Sequence, residues 1–144
     1  MTSTTQQLPP NLEKIIKKFQ RITEEKRRYE YLLWFAKRMP PFPDEAKIPA
    51  YRVPGCVSQV YVTATLQDGC IVYQADADAQ IPKGLVGLLI EGLNGMPPEE
   101  VVQLSPDFIQ LTGLNVSLTP SRSNGFYNIF KTMQQRAIAL TDSL

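Results

Sequence analysis

The chain contains no histidine. That one absence removes the imidazole general base, the Ser-His-Asp and Cys-His catalytic pairs and the HExxH zinc site. Cysteine is scarce too, and its two thiols fall short of the four Cys or His ligands usual in a structural zinc site. No resident metal or cofactor is expected. No apolar run approaches the roughly 20 residues that span a bilayer. The opening "MTSTTQQLPP" has neither the basic and apolar regions of a secretory signal nor the arginines of a transit peptide. The expectation is a cytoplasmic protein with reduced thiols and no membrane partner. A formal net charge of only +1 gives no general attraction to nucleic acid.

What is present is the composition of one ordinary domain. The 144 residues are 43% hydrophobic and 20% charged, enough to bury a continuous core without disulfide or metal staples. A single domain over residues 1–144 is expected, with residues 1–10 flexible. Charge is unevenly spread: residues 11–38 carry nine Lys or Arg against four Glu, and residues 66–110 carry one Lys against seven acids. Most of these charges read as solvated faces, with one pole left open as a docking surface.

Hydrophobic periodicity divides the chain. Asn11 is placed to cap a helix in which Leu12, Ile15, Ile16, Phe19 and Ile22 recur at helical spacing. A second helix starts near Thr23 and stops before Pro40 and Pro41. Residues 40–55 hold five prolines in "PPFPDEAKIPAYRVPG", which forbids helix interior and central strand. From Ser58 to Leu66 the pattern alternates, "QDG" turns, and "CIVYQA" returns, predicting a β-hairpin. Asp78 is placed to cap a helix over "AQIPKGLVGLLIEGLNG", with Pro82 in its first turn and Gly95 as its stop. A short helix over "PPEEVVQL" follows, "DFIQLTGL" reads equally as helix or strand, and "SLTPSRSNGFYNIFKTMQQRAIAL" is an amphipathic helix. These elements make an α+β fold, a small antiparallel sheet with helices packed on one face.

Without histidine, thiolate is the one strong nucleophile available, and Cys56 sits just after Gly55 in a proline-stiffened loop. The competing reading is a buried core cysteine. Counting back in twos from Val62 and Val60 through Ser58 brings Cys56 onto the apolar face, so its sulfur is expected to be sheltered and to swing outward before reacting. Cys70 reads as a small cross-strand residue. Its spacing from Cys56 is nothing like a C-x-x-C redox motif, although sequence leaves a disulfide between them open. Asp76 and Asp78 read as turn and cap residues, since neither a calcium loop nor a glycosidase constellation accompanies them. Arg122 in "TPSRSNG" either meets an anion or is a solvated side chain beside a capping serine.

The stretches "GCVSQVY" at 55–61, "DADAQIPKG" at 76–84 and "LTPSRSNG" at 118–125 together resemble the SufE family of cysteine desulfurase sulfur acceptors, in order and spacing over nearly the whole chain. The resemblance implies an IscU-like fold and gives Cys56 the persulfide-forming position. It places Arg122, Asp76, Asp78, Lys83, Gly55 and Ser58 in segments that support the persulfide or the partner surface. The implied partner is a SufS-type cysteine desulfurase, which carries the pyridoxal phosphate, and the implied recipient is an iron-sulfur assembly scaffold. Val57 stands where Gln is familiar, Ala75 replaces a Gly, and Pro54 stiffens the loop. Two other readings stand beside sulfur transfer: a docking module that activates the desulfurase through conformation alone, and an iron-sulfur scaffold, for which two cysteines are few.

Overall fold

In this computed structural model residues 8–142 are described. Residues 1–7 of the segment expected to be flexible lie outside the described residues, whereas Leu8 packs against the core and Pro10 opens the first helix. Helix α1 (Pro10–Arg21) buries Leu12, Ile15, Ile16 and Phe19, the stripe its periodicity predicts. Asn11 is not its cap. Pro9 holds that position and Pro10 the first helical one, where a fixed φ and a missing N–H cost nothing. Helix α2 (Glu25–Arg38) buries Leu32, Phe35 and Ala36 and stops at Met39, ahead of Pro40.

The proline-rich stretch forms two short 3-10 turns, Asp44–Ala46 and Pro49–Tyr51. Strands β1 (Val60–Gln67) and β2 (Cys70–Ala77) form the expected hairpin, paired antiparallel from Val60 opposite Ala77 to Gln67 opposite Cys70. Positive φ at both Asp68 and Gly69 makes its turn the type whose twist suits a hairpin. Val60 and Val62 share a buried face with Ile71, Tyr73 and Ala75. Helix α3 (Gln80–Leu93) packs on β2 and helix α7 (Pro120–Asp142) on β1.

A two-stranded ribbon leaves both edges unpaired, and here each is partly covered. Arg52 bridges to Tyr61 beyond β1, and Val53 N–H donates to the Val60 carbonyl (2.8 Å). On the far side Ile71 exchanges hydrogen bonds with Gly95 and Met96, and the Asn94 side chain accepts from Tyr73 N–H (2.8 Å). Such covering satisfies backbone groups that would otherwise invite another strand.

Helices α2 and α3 approach closely because α3 presents Gly84 and Gly87 to α2: a Cβ there would lie 2.6 Å from the Leu32 carbonyl oxygen and 2.8 Å from that of Phe35. Helix α4 (Pro98–Gln103) is the short helix expected over "PPEEVVQL". "DFIQLTGL" resolves as helical, through a turn at Pro106–Phe108 into α5 (Ile109–Thr112), and α6 (Leu114–Ser117) then leads into α7. Gln134 of α7 donates to the Val101, Val102 and Leu104 carbonyls at the end of α4. Among the described residues no helix is long and apolar enough to cross a membrane.

Candidate functional site

Six residues, 54–59, separate the Val53–Val60 hydrogen bond's two ends, and Cys56 lies in the middle of that loop. Pro54 and Gly55 form a tight turn in which Gly55 has φ of +80°, a left-handed conformation that costs an L-residue with a Cβ about 1–2 kcal/mol. Helix α7 closes over the turn: Asn128 Nδ2 donates to the Gly55 carbonyl (3.1 Å), and Cys56 Sγ lies 3.8 Å from the Gly125 carbonyl oxygen.

The thiol is half-buried and packs against the core. It lines a cleft of about 380 Å³ with an apolar floor of Pro82, Leu85 and Ile129 and a polar rim of Ser58, Thr119, Ser121 and Arg122. Burial pushes the Cys56 thiol up, and the nearby Arg52 guanidinium offsets part of that rise. Arg122 is exposed, and its guanidinium has no hydrogen-bond or ion-pair partner among the described residues. Its segment is tied back to α2, since Arg28 donates to Ser117 Oγ (2.7 Å) and the Tyr29 hydroxyl donates to the Ser117 carbonyl. Beside the thiol, Val57 is 90% exposed.

The residues singled out from sequence fall into two groups. Cys56, Ser58 and Arg122 share the cleft, with Gly55 at its lip. Asp76 and Lys83 do not line it. They meet on the polar side of the hairpin, where the Asp76 carboxylate lies 3.5 Å from Lys83 and 3.2 Å from Lys47. Burial opposes the charge on Asp76, but the Ala77 N–H and the two lysines outweigh it and hold the carboxyl below its ordinary range.

Asp78 links the groups and corrects an expectation. Helix α3 begins at Gln80 with Ala79 as its N-cap, and no side chain caps it. The Asp78 carboxylate instead accepts from Gln59 N–H (3.0 Å), while Asp78 N–H donates to the Gln59 carbonyl (3.1 Å). Reciprocal pairing with the loop satisfies more groups than a cap, and it fixes the loop's second arm.

Cys70 is half-buried at the hairpin turn, and both cysteines are free. The two thiols stand at opposite ends of the hairpin, since β1 spans about 23 Å at the usual rise per residue. Among the described residues no three His, Cys, Asp or Glu side chains converge as metal ligands. Sequence reasoning passed over Arg52, Gly125 and Asn128. The last two stand three apart on one helical face, a spacing visible in sequence, but nothing local says which loop that face meets.

Fold and site together define a small α+β protein that presents one sheltered thiol on a pinned loop. Residues 13–137 match the family described as SufE: Fe-S metabolism associated domain, and the chain belongs to that family. It is 64% identical over 132 residues to a SufE-like protein of Synechocystis sp., covering 92% of this chain and 83% of that protein. It is 36% identical over 132 residues to the cysteine desulfuration protein SufE of Plasmodium vivax, covering 88% of this chain but only 52% of that longer protein. The solution structure of a hypothetical protein from Thermus thermophilus superposes with a TM-score of 0.80 at 31% identity, covering 93% of this chain and 98% of that one.

Proposed function

We propose that this protein accepts sulfur on Cys56 from a cysteine desulfurase and passes it on toward iron-sulfur cluster assembly. The observation that carries the reading is that the Cys56 thiol and the unpartnered Arg122 guanidinium line one cleft. Family membership and the desulfuration name of the Plasmodium relative support it.

In the step, the Cys56 thiolate attacks the terminal sulfur of a persulfide on the donor cysteine. The new Cys56–S bond forms as the donor's S–S bond breaks, the electron pair leaves with the donor thiolate, and no net oxidation occurs. The product Cys56–S–S⁻ is an anion, which Arg52, whose charge already acts on the thiol, stabilises more than it would a neutral thiol, with Arg122 on the rim of the same cleft. The apolar floor shields the side of the sulfur that faces the core. The pyridoxal phosphate that extracts sulfur from L-cysteine belongs to the desulfurase. Asp76, Asp78 and Lys83 act at a remove, Asp78 by holding the loop and the other two as part of the partner-facing surface.

The test is intact-mass analysis after incubation with a SufS-type desulfurase and L-cysteine. Wild type and Cys70→Ser gain one sulfur atom's mass and stimulate the desulfurase, and Cys56→Ser does neither. Undiminished stimulation by Cys56→Ser would instead establish a purely conformational activator, and sulfur on both thiols would remove the single acceptor.

A further inference from the structure

Residues 54–58 make few hydrogen bonds. Among the described residues their only hydrogen bonds are Asn128 Nδ2 to the Gly55 carbonyl (3.1 Å) and the long contact of Cys56 Sγ with the Gly125 carbonyl (3.8 Å). The rest of the loop's restraint lies at its base, in the Val53–Val60 and Gln59–Asp78 bonds. The tip can therefore leave the cleft while both base attachments stay made.

The geometry points to Asn128 as the positioning residue for Cys56, a latch whose amide holds Gly55 and thereby keeps the thiol in the cleft until a partner displaces it. The assignment rests on the sulfur-acceptor reading for its purpose but not for its mechanics. A carbonyl can only accept, so the latch needs the N–H of Asn128, not merely its shape. Closeness matters as well: a Cβ on residue 55 would stand 2.7 Å from Asn128 Nδ2, so a glycine at 55 and an amide at 128 form a matched pair. Opening breaks one exposed hydrogen bond and the long sulfur contact and lifts a half-buried thiol off the core, a cost that new contacts with a docking partner offset. The residue acts on Cys56 only through Gly55 and touches no reacting atom.

The test compares iodoacetamide labelling of Cys56 and Cys70 by mass spectrometry in the full chain, for wild type, Asn128→Ala and Asn128→Asp. No desulfurase is present, so the result is independent of whether sulfur is ever transferred. Asp keeps the shape of Asn and loses the donor. Both variants should label Cys56 about fivefold faster than wild type, the population change from one lost hydrogen bond, with Cys70 labelling unchanged. Unchanged Cys56 labelling in either variant, or an equal rise at Cys70 that reports general loosening, overturns the latch. If the latch holds yet no sulfur reaches Cys56 in the desulfurase assay, the sulfur-acceptor reading alone has failed.

Discussion

Replacing Gly55 by alanine strikes the loop at its most constrained point. The backbone there has φ of +80°, and forcing an L-residue into it costs about 1–2 kcal/mol. The new Cβ would meet Asn128 Nδ2 at 2.7 Å and Asn128 Cγ at 3.2 Å. That amide is the far end of a side chain, so it rotates away and gives up its bond to the Gly55 carbonyl, a further loss of about 0.5–1.5 kcal/mol. Against these stands a gain of about 0.4–1 kcal/mol, because alanine restricts the unfolded chain. The balance is a destabilisation of about 1–2 kcal/mol if the loop stays closed. For a chain this long that lowers the melting temperature by several degrees. The loop has a cheaper escape: it opens, most of the stability returns, and the thiol is exposed. Calorimetry and Cys56 alkylation read the two responses together, and at least one must move. Gly69→Ala is the control, with the same left-handed backbone (φ of +78°) and nothing within 4 Å, so it loses stability without changing Cys56 labelling. A Gly55→Ala protein that melts and labels as wild type does would refute the turn geometry and the contact with α7 together.

Further outcomes follow from the same contacts. Arg122→Ala should slow sulfur acceptance with almost no change in melting temperature, because the guanidinium supports nothing in the fold; a large thermal loss would show a structural role. Tyr73 is buried and donates its hydroxyl to the Met133 carbonyl (2.6 Å), so Tyr73→Phe should cost about 1 kcal/mol in urea unfolding, and a neutral result would mean that the helical hydrogen bond alone satisfies that carbonyl. Asp76, held below the ordinary carboxylate range, stabilises the fold when ionised. That contribution is present above the unfolded pKa and is lost as pH falls through the lower folded value, so the stability gap between wild type and Asp76→Asn should close in acid. A gap that persists in strong acid would assign the effect to the amide itself.

Local signals carried the elements and failed at what joins them. Helical spacing placed α1, α2, α3 and α7, and alternation with "QDG" placed the hairpin, because those patterns repeat within a few residues. The strand was expected from Ser58 but begins at Val60, since Pro54 and Gly55 turn the chain and Asp78 takes Gln59. Strand parity does not run through a turn, so counting back to Cys56 reached a sheltered thiol for the wrong reason. Gly125 and Asn128 of α7, far away in sequence, put it there. Asp78 was misassigned in the same way: its true partner lies 19 residues upstream. The place of Cys56 in a proline-bounded loop was legible, and the missing histidine narrows the chemistry around it to the thiol without any long-range knowledge. Asn128 was not, because an amide on an amphipathic helix looks like any solvated residue.

Helix α7 also limits which insertions and deletions the chain accepts. Its 23 residues form one uninterrupted rod of about 34 Å. Near its start Gly125 and Asn128 meet the Cys56 loop. Further along, the Met133 carbonyl takes the Tyr73 hydroxyl, Gln134 holds the end of α4, and Arg136 donates to the Val62 and Ala50 carbonyls. One residue added or removed between Asn128 and Met133 would rotate one set against the other by about 100°, so that either the thiol or the core loses its partners. Substitution at exposed Lys131 does no such harm. Changes in chain length within this stretch therefore belong to a different protein, while side chains on its outer face are free to drift.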